Sequence, residues 1–483
     1  MTTEVLINIT PTESRVAVLE NGSLYELIVE REQKRGTVGN IYIGAVTRVL
    51  PGMEAAFVDI GQEKGGFLHV SDVSDASDES GESRRINQVL HEGQRLFVQI
   101  IKDPLGSKGA RLSTNITVPA RYLVLMPNNK NIALSTRIED PQERERLEAL
   151  AKSCQGSGQH GLIVRTIAEG RSVEELSLDV EYLSRQWALI NERANQAKPG
   201  DCIYSDLELP TRIVRDLVST DIQSITVDSK ETFDGLMAFA ERITPEHVEK
   251  IIHYQGERPL FDLYSVEDEI KRALRPKVKL KSGGYLIIDQ TEAMTTVDVN
   301  TGAFVGDSNL EETIFKTNLE ATYAIARQLR LRNLGGIIII DFIDMKDEAH
   351  QDQIMQALQK ALLKDPAKTS ITELSALGLL EMTRKRTRES LEHVLCEACP
   401  QCAGRGYIKT AQTVCYELFR EILREARQYD AKQLLVLASE QVIELLIDEE
   451  STNLAELESF IDIPIKYQVE SRYTQEKFDV VPM

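Results

Sequence analysis

Long apolar runs are missing from this 483-residue sequence. No stretch reaches the roughly 18 residues of a membrane-spanning helix. The opening MTTEVLINITPTESRVAVLENG has neither a basic start nor a continuous apolar block, so it reads as a first strand and hairpin, not a signal peptide. Cysteine is scarce, six in all with three clustered, which is no secreted disulfide framework. These absences point to the cytoplasm. No P-loop, no G-x-S-x-G and no H-E-x-x-H occurs, which removes three common enzyme classes. Positive charge is also in deficit. The net charge is −20, and residues 416–483 alone hold 15 acidic against 7 basic side chains. Taken alone, that argues against a grip on nucleic acid by the overall field. Any such contact must rest on local patches, aromatics or a metal.

What is present is a long globular chain, 42% hydrophobic and 27% charged. Its length calls for several compact domains. Residues 36–118 read as all-β. The alternating runs NIYIGAVTRVL, EAAFVDIG, GFLHV and RLFVQIIKD are split by Gly, Pro and the polar loop SDASDESGES. Strands and helices mix over 119–210, with a helix in DPQERERLEALAKSC and a strand in GLIVRTIAEG. The α/β pattern continues over 211–274. KLKSGGYLIIDQTEAMTTVDVN reads as two strands with a Gly-Gly turn, followed by a long amphipathic helix ending at Gly335. Another helix lies in DEAHQDQIMQALQKALLKD. A cysteine-rich link and a small acidic α+β tail close the chain.

Two carboxylates stand out. In TTVDVN, Asp298 and Asn300 lie two apart on a strand and face the same way, while Val297 and Val299 face the core. In GGIIIIDFIDM, residues 335–345, four isoleucines predict a buried strand, and Asp341 ends the run. A carboxylate beside so much apolar surface is costly unless compensated. A strand–helix–strand unit places both strands in one sheet, usually parallel, with its site at their carboxyl ends. Two carboxylates and an amide suit Mg²⁺. Asp341 therefore has two candidate partners: a metal shared with Asp298, or loop amides at a strand end. Asp344, with Asp347 three residues on, is expected to cap the following helix.

The phrases EAAFVDIG, YLVLMPNN, GLIVRT, VDVN, LGGIIIIDFIDM, GLLEMTRKR and CPQC, in that order, closely resemble the ribonuclease E/G family across nearly the whole chain. The short acidic ending, without a long disordered tail, resembles the family's shorter branch. The resemblance implies a metal-dependent endoribonuclease acting on single-stranded RNA, with roles in rRNA processing and mRNA decay. Asp298 and Asp341 would hold the catalytic Mg²⁺, supported by Asn300. A metal-activated water would attack the phosphodiester in line, leaving a 5′-phosphate and a 3′-hydroxyl. The implied architecture is multidomain α/β and α+β. Segments 1–35 and 211–274 form a ribonuclease H-like piece. Inserted in it are an OB-fold RNA-binding domain at 36–118 and a 5′-sensor domain at 119–210. A deoxyribonuclease I-like catalytic piece spans 275–395, a zinc link 396–411 and a small C-terminal domain 412–483.

Residues 36–118 resemble the RNA-binding domain of ribosomal protein S-one, an OB fold. Strand alternation puts Ala56, Val58, Ile60, Leu68 and Val70 opposite Phe57, Phe67, His69 and Asp59. Aromatics exposed on an OB sheet stack bases, worth about 1–3 kcal/mol per base; the other reading packs Phe57 and Phe67 against a neighbouring domain. With 10 acidic and 8 basic residues in the module, stacking should outweigh charge. Lys108 matches a basic position that the family uses on RNA.

Arg165 and Thr166 end a strand, and an Arg fork with a hydroxyl suits phosphate. In the family this pair senses a 5′-monophosphate, and Val124 matches the contact to the first base. Lys368 stands where an Arg is expected. The other reading makes Arg165 part of an ordinary surface salt bridge. Cys396, Cys399 and Cys402 are spaced three apart, but an iron–sulfur run would want a fourth Cys where Gly406 stands. A closed zinc site needs four ligands. One chain could supply His393 and three Cys. The family instead takes Cys399 and Cys402 from each of two chains, which implies a homodimer. Two further classes stay open: a non-catalytic RNA-binding scaffold of the same fold, and a phosphoesterase for another nucleic acid.

Overall fold

The computed structural model describes residues 2–32, 36–74, 85–104, 109–155, 160–216, 222–302, 310–375 and 378–483. They fall into two compact units, Met1–Leu391 and Glu392–Met483. Among them no helix is long and apolar enough to cross a membrane.

Among the described residues the first unit holds four sheets. In the first, Thr3–Ile9 pairs antiparallel with Glu13–Glu20, which pairs with Ser23–Arg31. On its other edge Thr3–Ile9 runs parallel to Ile222–Val227, and that strand to Ile251–His253. Val5, Ile7, Val16, Ile225 and Val227 form one core with Leu236 and Ala240 of the Lys230–Ile243 helix. The N-terminal hairpin and a segment from far along the chain thus share one sheet.

The second sheet is a barrel. Ile41–Leu50 pairs with both Ala55–Asp59 and Arg95–Lys102, which closes it. Gly66–His69 and Arg111–Ser113 complete the wall. Val46, Ala56, Val58, Leu68, Val98 and Leu112 fill its interior. Cys202–Tyr204 pairs with Ile41–Leu50, so the barrel sheet takes a strand from well beyond residue 118. The third sheet orders Ile132–Leu134, Gly161–Val164, Leu123–Met126 and Val118–Pro119, with helices Pro141–Cys154 and Val173–Gln196 sharing its core.

The fourth sheet carries the two aspartates. Its order is Lys277–Lys279, Tyr285–Gln290, Met294–Asn300, Gly336–Asp341, Leu379–Arg384, Thr369–Leu374. The Gly-Gly turn joins the first two strands, and Thr291 and Met294 close a second turn before the third. The helix Leu310–Leu331 crosses from Met294–Asn300 to Gly336–Asp341, and the two strands are parallel as the strand–helix–strand pattern requires. That helix stops short of the expected Gly335, at Leu331, with Asn333 in the left-handed region. Gly335 leaves no room for a side chain: a Cβ would lie 2.6 Å from Arg386 Cγ. Gly336 takes φ +94°, which favours glycine.

The isoleucine run is not buried on both sides. Ile338 and Ile340 are inaccessible, but Ile337 is 49% exposed. The Leu310–Leu331 and Glu348–Leu362 helices pack on one face through Ala321, Ile325, Leu329, Ile354 and Leu358. The other face is left open. Asp347, not Asp344, caps the Glu348–Leu362 helix; its carboxylate accepts from Ala349 N at 2.9 Å. Asp347 is the residue that directly precedes the first helical turn, and Asp344 lies too far back to reach its amides.

In the second unit, Leu434–Ala438 lies between Ile465–Val469, parallel, and Phe478–Pro482, antiparallel. Helices Ala411–Gln428, Glu440–Ile447 and Ser451–Ile461 share their core.

Candidate active site

Asp298 and Asp341 are direct register partners in the parallel ladder. Strands in a sheet lie about 4.8 Å apart, so two exposed carboxylates stand side by side. Asn300 joins them on the open face, and its Nδ2 donates to Asp298 Oδ2 at 2.8 Å. Among the described residues the Asp341 carboxylate has no hydrogen bond or ion pair, so no described loop amide is its partner. Asn318, fully buried on the crossing helix, holds both polar backbone groups of Ile343: its Nδ2 donates to the carbonyl at 2.8 Å, and its Oδ1 accepts the amide at 3.1 Å. It fixes the backbone two residues beyond Asp341. No sequence signal singles it out, since the same helix also buries Thr313, Thr317, Thr322 and Gln328.

The barrel brings Phe57 and Phe67 opposite each other, with ring centroids 6.1 Å apart and planes at 70°. Phe57 is 37% exposed and Phe67 half-buried, so the pair is on the wall and outside the barrel core. The same rung continues to Arg48 on one side and Arg111 on the other. Neither Arg was singled out in the sequence. Arg111 is paired with Asp72 at 2.8 Å, whereas Arg48 is exposed. His69 shares the wall, but its Nδ1 accepts from Ser71 N, a local capping role. Lys108 lies outside the described residues.

In the third sheet the strand ends at Val164, and Arg165 and Thr166 open a short 3₁₀ turn. Arg165 Nη1 donates to Asp216 at 2.9 Å and to the carbonyls of Ala120 and Arg121, so the salt-bridge reading is met in part. Burial pushes the Asp216 carboxyl up, but Arg215 and Arg165 outweigh it and hold it below the usual range. Nε and Nη2 of Arg165 have no protein partner among the described residues. Thr166 Oγ1 is 2.9 Å from Ser135 Oγ. Val124, half-buried, pairs with Ile163. Asp179 holds this hairpin by accepting from the Tyr122 and Leu123 amides at 2.5 and 2.9 Å. Burial pushes its carboxyl up to about 6 against the pull of those amides.

Lys368 is exposed, and no hydrogen bond among the described residues joins it to Arg165 or Thr166. The bridge is Arg137, two residues beyond Ser135, whose Nη2 donates to Pro366 O at 2.8 Å. The buried Asp365–Arg384 pair, bidentate at 2.7 and 3.0 Å, pins that loop.

In the second unit Cys396 and Cys399 are exposed and Cys402 is buried. The Gly406 amide, then that of Gly404, bond to Cys402 and hold its thiol below the usual range; Cys399 adds to this. Ala403, Gly404 and Gly406 all take positive φ, which turns the chain around the sulfur. Among the described residues no three His, Cys, Asp or Glu are grouped to hold a metal.

An open sheet face with paired carboxylates, and in the same unit a barrel with an aromatic wall, fit an enzyme acting on a polymer of bases and phosphates. The sequence pattern of the Ribonuclease E/G family matches residues 117–387, that of the S1 RNA binding domain residues 36–115, and that of the thioredoxin-like domain of RNase E/G residues 398–482. The chain belongs to the ribonuclease E/G family, whose members are endoribonucleases. It is 54% identical to ribonuclease G of Escherichia coli strain K12 over the whole of both chains, and 52% identical to that of Haemophilus influenzae over 99% of each. Against ribonuclease E of Haemophilus influenzae the identity is 37%, over 95% of this chain and 50% of the other.

Proposed function

We propose that the chain is a Mg²⁺-dependent endonuclease of single-stranded RNA that favours 5′-monophosphorylated ends. It leaves a 5′-phosphate and a 3′-hydroxyl, and acts in rRNA processing and mRNA decay in the cytoplasm. The observation that carries this reading is the Asp298–Asp341 rung, with Asn300 beside it and Asp341 unpartnered among the described residues. The donors fit the ion, since Mg²⁺ binds through one or two carboxylates, waters and substrate phosphate. When bound there, it would supply Lewis-acid activation of water and neutralise charge on the phosphate. The chain's own residues do the rest. Asn300 holds the Asp298 carboxylate, and Asn318 fixes the backbone behind Asp341. Phe57 and Phe67 stack unpaired bases, which a duplex does not offer. The Nε and Nη2 of Arg165, without a partner among the described residues, and the Thr166 hydroxyl receive the 5′-phosphate together with Lys368; the Arg137–Pro366 contact, which ties the Lys368 loop to the segment of Ser135, supports that role.

The ladder joining the N-terminal hairpin to Ile222–Val227 supports a ribonuclease H-like piece built from two segments. The mixed sheet backed by two helices supports a deoxyribonuclease I-like reading of 275–395. Cys399 and Cys402, with Cys402 lowered by backbone amides, suit thiolate ligation of Zn²⁺ shared between two chains as a homodimer. The test is a short 5′-monophosphorylated single-stranded RNA, incubated with Mg²⁺ and with EDTA. Internal cleavage with Mg²⁺ alone, giving 5′-phosphate and 3′-hydroxyl ends, is expected. Binding without cleavage under both conditions would leave a scaffold.

A further inference from the structure

The open face of the aspartate sheet carries positive charge that the proposed mechanism does not use. Follow the ladder rungs outward from the aspartates. Asp341 is opposite Asp298, Asp298 is opposite Ile287, and Ile287 is opposite Lys277. On the next rung Asn300 is opposite Tyr285, and Tyr285 is opposite Lys279. Residues opposite each other in a ladder project from the same face. Lys277 and Lys279 therefore rise from the face that holds Asp298, Asn300 and Asp341, on the edge strand, with one strand between.

The two lysines are placed as well as present. The Lys277 ammonium lies over the Tyr285 ring, 3.6 Å from its centroid, which draws it over the sheet instead of off the edge. The turn after Lys279 is tied to the crossing helix: Glu320 accepts from the Lys281 and Ser282 amides. Both lysines are exposed, and neither has a carboxylate partner among the described residues. Two carboxylates repel a polyanion. A chain of net charge −20 has no general field to offset that. A local pair of ammonium groups one strand away does so where the substrate must lie.

We propose that Lys277 and Lys279, with Tyr285 as the platform for Lys277, form a phosphate-binding edge that holds the RNA backbone beside the scissile phosphate. The placement rests on the Asp298–Asp341 reading. The competing role for lysines on an edge strand is to block pairing with another sheet.

The experiment uses the full chain and a short single-stranded RNA. The double variant Lys277→Ala/Lys279→Ala is compared with wild type for the dependence of RNA affinity on salt and for KM. Each lost phosphate contact on a single strand should flatten the slope of log K against log salt by about 0.7. The double variant should lose up to twice that and raise KM several-fold. Tyr285→Leu should lose part of the same slope, and Lys277→Arg should retain it. A thermal melt confirms that each variant still folds. An unchanged slope and KM would overturn the proposal and leave the lysines as edge guards. Asp298→Asn is assayed in parallel. If it cuts normally, the aspartate reading falls, while the slope still decides whether the lysines touch RNA.

Discussion

Asp298 and Asp341 occupy the same rung of a parallel ladder, more than forty positions apart in sequence and one strand spacing apart in space. The crossing helix between them sets that rung, and Asn318 on the same helix grips the backbone just past Asp341. The helix thus brings the second carboxylate to the first and keeps it there.

The aromatic pair on the barrel wall gives a first prediction. Phe57→Ala and Phe67→Ala should each weaken binding of single-stranded RNA by about 1–3 kcal/mol. Thermal stability should change little, since Phe57 is 37% exposed and neither ring joins the barrel core. Binding titrations and melts on the same samples check it. A large stability loss with unchanged affinity contradicts it.

Arg165→Gln should reduce the advantage of 5′-monophosphorylated over 5′-hydroxyl RNA. Asp216→Asn should do so as well, more weakly, because Asp216 holds Nη1 and aims the remaining fork. Cleavage rates on the two substrates report the ratio. An unchanged ratio in Arg165→Gln removes that residue from the pocket.

Asp179 gives a pH signature. An unfolded Asp titrates near 3.9, and the folded one near 6. The folded chain therefore keeps the proton to higher pH. The contribution of Asp179 to stability is most favourable below about pH 4, declines as pH rises to about 6, and is constant above, a loss of roughly 3 kcal/mol. The stability difference between wild type and Asp179→Asn should vary only in that window. A difference flat across it contradicts the raised value.

The cysteine link predicts about half an equivalent of zinc per chain, because two thiolates per chain must make a four-ligand site. Cys399→Ala should lose zinc and weaken the dimer together, whereas Cys396→Ala should leave both nearly intact. Occupancy should fall at low pH as the thiolates protonate. Metal analysis with light scattering checks this. One zinc per chain, or a zinc-free Cys399→Ala protein that stays fully dimeric at low concentration, contradicts it.

Much of the aspartate face was legible. Period-two alternation put Asp298 and Asn300 together, and the strand–helix–strand order gave the parallel pairing. The isoleucine run is buried on one face only. Composition marks a strand as apolar, but it does not say that one face is left open, as at Ile337. The joining of Thr3–Ile9 to Ile222–Val227 has no local signal, since strand pairing over such a separation is decided by tertiary packing. The same holds for Arg137, whose contact with Pro366 joins segments 229 residues apart. The cap falls at Asp347, three residues beyond the expected Asp344, because both suit a helix start and only the backbone decides between them.

The most direct test of the account measures cleavage and RNA affinity together in Asp298→Asn and Asp341→Asn under saturating Mg²⁺. The account predicts that both variants lose cleavage while their affinity for the same single-stranded RNA stays within a few-fold of wild type. An Asp298→Asn enzyme that cuts at near wild-type rate would contradict it.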